Sequence, residues 1–214
     1  ADYADSCFSW SRLPDIPVLH GISGAFTGLS NGALIIAGGS NFDRPSWEGG
    51  VKNYEDNIYV LERTDNGHYH WYQAGKLPFK VAHGAAVTIP EGVLCLGGTD
   101  GKKDLNKVFL LRWQSSEKKI SIDTGFAPLP QACSYLSATR IEDHIYVAGG
   151  KIMEDDKEAE MNNFWMLRLK QNNTGNWEKL APWPVLACFG ATRAAQRKGG
   201  EMDVHFCLVK SGSL

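Results

Sequence analysis

An all-β fold, part of a ring of four-stranded blades, is predicted by three observations in this 214-residue sequence. Three apolar runs end in a glycine pair: Ala33-Leu34-Ile35-Ile36-Ala37-Gly38-Gly39, Val93-Leu94-Cys95-Leu96-Gly97-Gly98 and Ile145-Tyr146-Val147-Ala148-Gly149-Gly150. Successive pairs lie 59 and 52 residues apart. Each run has one apolar strand before it and two after it, so the same four-strand order recurs three times. Short strands in fours, in units of about 50 residues with a glycine pair and a later aromatic, form the kelch pattern of a β-propeller.

The elements follow in order. Phe8-Ser9-Trp10-Ser11-Arg12-Leu13-Pro14 reads as a lone outer strand and link over 8–14. A first blade over 21–75 has strands at Gly24 to Leu29, the glycine-pair run, Asn57 to Leu61 and around Trp71. A second over 81–125 uses Gly84 to Ile89, its run, Lys107 to Leu111 and Lys119 to Ile122. A third over 132–181 uses Ser137 to Ile141, its run, Asn163 to Leu167 and a strand at Trp177. Asn31-Gly32 and Glu91-Gly92 supply tight turns, and Lys76-Leu77-Pro78, Pro128-Leu129-Pro130 and Pro182-Trp183-Pro184 supply links. A half blade over 187–210 pairs Cys188 to Ala195 with Val204 to Val209, with Lys210-Ser211-Gly212 in place of a glycine pair.

That makes about three and a half blades, whereas propellers close with roughly four to eight. The expectation is therefore a partial kelch-type β-propeller from a truncated chain. Glycine is required where the chain leaves a buried strand with positive φ. Trp71 and Trp177 are expected to fill the wedge between blades, and each sheet needs a neighbour to bury its faces. Open strand edges invite a homodimer that completes the ring.

Composition narrows the function classes. A net charge of −2 argues against a nucleic-acid partner, and no run of 18 apolar residues offers a membrane span. The polar opening Ala1-Asp2-Tyr3-Ala4-Asp5 is no signal peptide and suits a mature form whose export signal has been removed. Five widely spaced cysteines without a C-x-x-C pair suggest neither a disulfide framework nor zinc. His68 and His70 lack further ligands nearby, and Glu154-Asp155-Asp156-Lys157-Glu158 lacks the glycine of an EF-hand loop and reads as solvated. No metal and no cofactor are expected.

The stretch Gly24-Ala25-Phe26-Thr27-Gly28-Leu29-Ser30-Asn31-Gly32 through Gly39, then Asn41-Phe42 and Trp47-Glu48-Gly49-Gly50-Val51-Lys52-Asn53-Tyr54, carries a family resemblance. It is similar to the cyclically permuted members of the kelch mutarotase family, whose best-known branch is the N-acetylneuraminate epimerases. The resemblance implies a six-bladed ring, an exported and typically periplasmic setting, and interconversion of the anomers of free sialic acid. That chemistry takes a proton from the anomeric hydroxyl and delivers one to the ring oxygen, work for a carboxylate or histidine. An arginine would hold the sugar's carboxylate. The family's catalytic pair is a glutamate after Asn-Gly with a nearby arginine. No such segment occurs here, so the resemblance leaves the catalytic residues outside this chain.

Candidate binding residues are weighed against ordinary surface roles. The loop from Ser40 to Tyr54 gathers Asn41, Arg44, Trp47, Glu48, Lys52 and Asn53, an aromatic face with cations and amides suited to an acidic sugar. The alternative is a solvated loop. His83 opens an inner strand facing the channel; Tyr135 matches it when the glycine pairs are aligned, and Ser23 does so in the first unit. A hydrogen-bonded structural histidine is the plainer reading. Arg140 and Arg193 near inner-strand ends suit an anion or a rim salt bridge. The function expected is a sugar mutarotase acting on N-acetylneuraminate; the alternative is a non-catalytic kelch module gripping a protein or glycan.

Overall fold

The computed structural model describes residues 10–154, 157–169, 175–182, 192–198 and 201–207. The first repeat runs through β1 (Phe26–Ser30), β2 (Ala33–Ala37), a short hairpin of β3 (Ser40–Phe42) and β4 (Lys52–Tyr54), then β5 (Asn57–Arg63) and β6 (Tyr69–Lys76). The second comprises β7 (Ala85–Ile89), β8 (Gly92–Leu96), β9 (Val108–Gln114) and β10 (Lys119–Asp123). The third comprises β11 (Ser137–Ile141), β12 (His144–Ala148), a hairpin of β13 (Lys151–Glu154) and β14 (Lys157–Glu160), then β15 (Phe164–Arg168) and β16 (Trp177–Lys179). A last hairpin pairs β17 (Thr192–Lys198) with β18 (Glu201–Cys207).

Three antiparallel four-stranded sheets result, ordered β1-β2-β5-β6, β7-β8-β9-β10 and β11-β12-β15-β16. Their first strands lie against one another in succession, β1 on β7, β7 on β11 and β11 on β17. The fourth strands β6 and β10 meet more sparsely. Sheets close together at one end and splayed at the other are blades, and the chain is an all-β partial propeller. No described helix is long and apolar enough to cross a membrane.

The middle blade shows why its second strand reads as continuously apolar. Val93 and Cys95 face the first blade's Phe26, Ile35, Ile58 and Val60. Leu94 and Leu96 face the third blade's Leu136, Ala138, Ile145 and Val147. All five residues of β8 are buried, as in a sheet covered on both faces. Phe109 fills the first interface edge-on against Phe26 and Phe79, each at 5.6 Å.

The glycine pairs stitch blade to blade. Gly39 N–H donates to Val81 O at 2.7 Å and Gly98 N–H to Cys133 O at 2.9 Å, each reaching the entry of the next blade. A Cβ on Gly97 would lie 2.6 Å from Cys133 O, so close approach joins positive φ (61°) in requiring glycine.

Several expectations need correction. The tryptophans that fill the wedges are Trp113 on β9 and Trp165 on β15, both buried in the inter-blade clusters. Trp71 donates its indole N–H to a link, to Pro14 O, while Trp177 packs at the margin of the second inter-blade cluster and donates to Ala127 O, both at 3.0 Å. Apolar neighbours select the third strand for burial, and the fourth strand's half-exposed rings keep a polar partner. Of the expected outer strand, residues 8 and 9 lie outside the described residues and 10–14 form no strand pairing. The acidic run is not simply a solvated loop: its flanks pair as β13 and β14, and Glu158 forms an ion pair with Lys151. Asp155 and Asp156 lie outside the described residues.

Candidate functional site

The residue after each glycine pair bridges back to the residue three before the first strand of the same blade: Ser40 to Ser23, Thr99 to Ala82 and Lys151 to Ser134. These bridges pin the chain ahead of each first strand at the hub. The next residue then turns with positive φ: Gly24 at 66°, His83 at 60° and Tyr135 at 55°. Gly24, rather than Ser23, is thus the first blade's counterpart of His83: each of the three turning residues lies 14 positions before its glycine pair. His83 N–H donates to Gly24 O at 2.7 Å and Tyr135 N–H to His83 O at 2.6 Å, a backbone ladder running across three blades.

The side chains follow the ladder. The His83 imidazole stacks on the Tyr135 ring at 4.4 Å and 11°, with Tyr54 edge-on at 6.5 Å. A Cβ on Gly24 would fall 2.3 Å from His83 Nδ1, so the first blade contributes a bare backbone against which the imidazole packs. Lys52 Nζ donates to His83 Nε2 at 3.0 Å, and Ser40 Oγ lies 3.3 Å from the same nitrogen. Lys151 Nζ sits over the Tyr135 ring at 4.6 Å and Lys52 Nζ over the Tyr54 ring at 5.3 Å.

Burial, with the charges of Lys52 and Lys151 added, holds His83 down at about 4, so its imidazole is neutral near pH 7. Burial and then Lys151 also lower Lys52. Burial raises Tyr54 and Tyr135, keeping both phenols protonated at neutral pH. The hub is therefore a neutral base flanked by two cations and two phenols.

Beside it the β3–β4 hairpin and residues 20–23 enclose an open groove of about 740 Å³. Asn41, Arg44, Trp47 and Lys52 line it, with Phe42 and Ser40. The Trp47 indole is 85% exposed, so no other described residue covers its face. Asn41 Nδ2 donates to Glu55 Oε1 at 3.4 Å and Arg44 Nη2 to Gly49 O at 3.3 Å. Lys52 and Ser40 join the groove to His83, which stands one hydrogen bond behind its wall.

Not every expected residue comes here. Glu48, in the short 3-10 turn Ser46–Glu48, and Asn53, bonded to Val51 O at 3.4 Å, lie outside the groove lining. Arg140 lies near the far end of β11 and donates to Glu142 O at 2.6 Å. Arg193 is on β17 opposite Phe206, with its side chain outside the described ones. Conversely, Ser40, Tyr54 and Lys151 join the cluster without having been singled out. Their signal was positional: Ser40 and Lys151 each follow a glycine pair directly.

The comparisons agree with this architecture. The family model for N-acetylneuraminate epimerase matches residues 1–122, more than half of the chain. An N-acetylneuraminate epimerase of Brucella suis is 32% identical over 136 residues, covering 56% of this chain and 33% of that protein. One from Vibrio cholerae is 32% identical over 128 residues, covering 52% and 32%. The chain thus spans about a third of the length of these curated relatives. The solved structure of YjhT shares the fold with a TM-score of 0.64 at 15% identity, over 91% of this chain and 68% of that one. With its family model matched from the first residue through the second blade, the chain belongs to the N-acetylneuraminate epimerase family.

Proposed function

We propose that this chain carries part of the sugar seat of a mutarotase that interconverts the anomers of N-acetylneuraminate. The observation that carries the reading is the groove of about 740 Å³ that brings an exposed indole, an amide and two cations together beside a neutral imidazole. A sialic acid needs such a set: an aromatic face for the ring carbons, an amide for hydroxyls and positive charge for the carboxylate. Family membership supports the same substrate.

Anomer exchange opens a hemiketal. The anomeric hydroxyl loses a proton, the ring oxygen gains one, and rotation precedes re-closure. Groups that stay in the right protonation state at neutral pH favour both transfers. His83, neutral and reached through Lys52 and Ser40, suits the environment of such a site. An exported setting belongs to the same proposal. The test is NMR of freshly dissolved N-acetylneuraminate with the intact protein. Faster anomer equilibration is expected, and an unchanged rate would reject the enzyme reading in favour of a binding module.

A further inference from the structure

We infer that Lys52 is the specificity-determining cation of this groove, the residue that takes the carboxylate of an acidic sugar, and that His83 is the positioning residue that holds it in place. The inference rests on the sugar-seat reading above and names the contact that would select acids from neutral sugars.

Two lysines reach the hub, and they differ in one respect. Lys151 is ion-paired with Glu158 across the β13–β14 hairpin. Among the described residues no carboxylate pairs with Lys52. A partly buried ammonium without a counter-charge is costly, and a ligand anion relieves that cost where the protein supplies none. Lys52 Nζ spends one of its three N–H donors on His83 Nε2. The same side chain lines the groove.

His83 fixes where that charge sits. Tyr135 stacks on one side of its ring, Tyr54 stands edge-on, Gly24 packs against Nδ1 and Ser40 meets Nε2. An imidazole so confined presents Nε2 in one direction. Burial and the neighbouring Lys52 and Lys151 keep it neutral, so it accepts from the ammonium instead of repelling it. Arg44 is the competing cation. Its guanidinium lies in an exposed turn, tethered to Gly49 O, where ordering a long side chain costs more and solvent screens the charge. Lysine offers a point charge, selective for the presence of an anion more than for its shape.

The experiment compares N-acetylneuraminate with its neutral methyl ester, using the intact protein and the variants Lys52→Met, His83→Gln and His83→Leu. For Lys52→Met the KM for the acid should rise about tenfold, as loss of one charged contact implies, with kcat and the ester's KM little changed. His83→Gln, which keeps an acceptor near the Nε2 position, should retain the preference for the acid. His83→Leu should lose that preference. An unchanged KM for the acid in Lys52→Met, or acid and ester weakening together, overturns the inference. Should the wild type accelerate neither compound, the mutarotase reading fails. Titration of acid against ester by calorimetry then decides the contact alone: an acid preference lost in Lys52→Met upholds it, and no preference in the wild type overturns it.

Discussion

At the scale of single residues, two ionisable groups with displaced titrations link the fold to pH. His83 is held at about 4 against an ordinary 6.5, by burial first and then by Lys52 and Lys151. The unfolded chain therefore binds the proton before the folded one does. Stability is fully present above about 6.5 and falls as pH drops toward 4. Urea denaturation across that window should show the slope in the wild type and a flatter one in His83→Gln; equal slopes would contradict the assignment. Glu62 acts in the window below. Burial pushes its carboxyl up, but hydrogen bonds from Lys118, Ser115 and Trp113 outweigh it and hold it at about 2. Its contribution is present above its usual 4.5 and is lost as pH falls through about 2. Glu62→Gln should thus lower stability at neutral pH, measured by denaturant midpoint, and should flatten the acid limb. Because Glu62 on β5 meets Trp113 of β9, that loss falls on the first inter-blade joint.

Elements carry the next set of expectations. Gly97 and Gly32 both have positive φ, but only Gly97 faces a neighbouring blade. Gly32→Ala meets nothing within 4 Å and should cost only the left-handed strain, about 1–2 kcal/mol. Gly97→Ala adds a Cβ 2.6 Å from Cys133 O and should cost clearly more, by thermal melt or denaturant titration. Equal penalties would mean that the pair serves conformation alone. Trp113→Ala should cost about 3–5 kcal/mol as a buried core truncation. Trp71→Phe forfeits one half-exposed hydrogen bond and should cost about 1 kcal/mol. What could be read in the sequence divides at this scale. Strand order was legible because period-two patterning and glycine pairs are local signals. Which tryptophan fills the wedge was not, since burial depends on which face meets the next blade. The hub cluster was half legible: His83 and Tyr135 stood out through alignment, while Lys151 and Ser40 looked like ordinary polar residues. Their neighbourhood exists only once three blades share an axis.

In the whole molecule, the candidate site forms where blades converge. Residues far apart in sequence, from Ser40 and Lys52 through His83 to Tyr135 and Lys151, meet because first strands crowd together. The groove opens beside that hub and is walled by the β3–β4 hairpin of the first blade. The chain spans about a third of its curated relatives' length, so the activity proposed is that of the whole protein and the seat is what this chain contributes. The most direct test is a nuclear-spin map of ligand binding, in which N-acetylneuraminate is added to isotope-labelled protein and the indole and imidazole resonances are followed. Shifts in the Trp47 indole and the His83 ring, with those of Trp113 and Trp165 unmoved, are what a sugar seated beside Lys52 predicts. Unmoved Trp47 and His83 signals at saturating sugar, or a response centred on the Trp113 joint, would place the ligand elsewhere and contradict it.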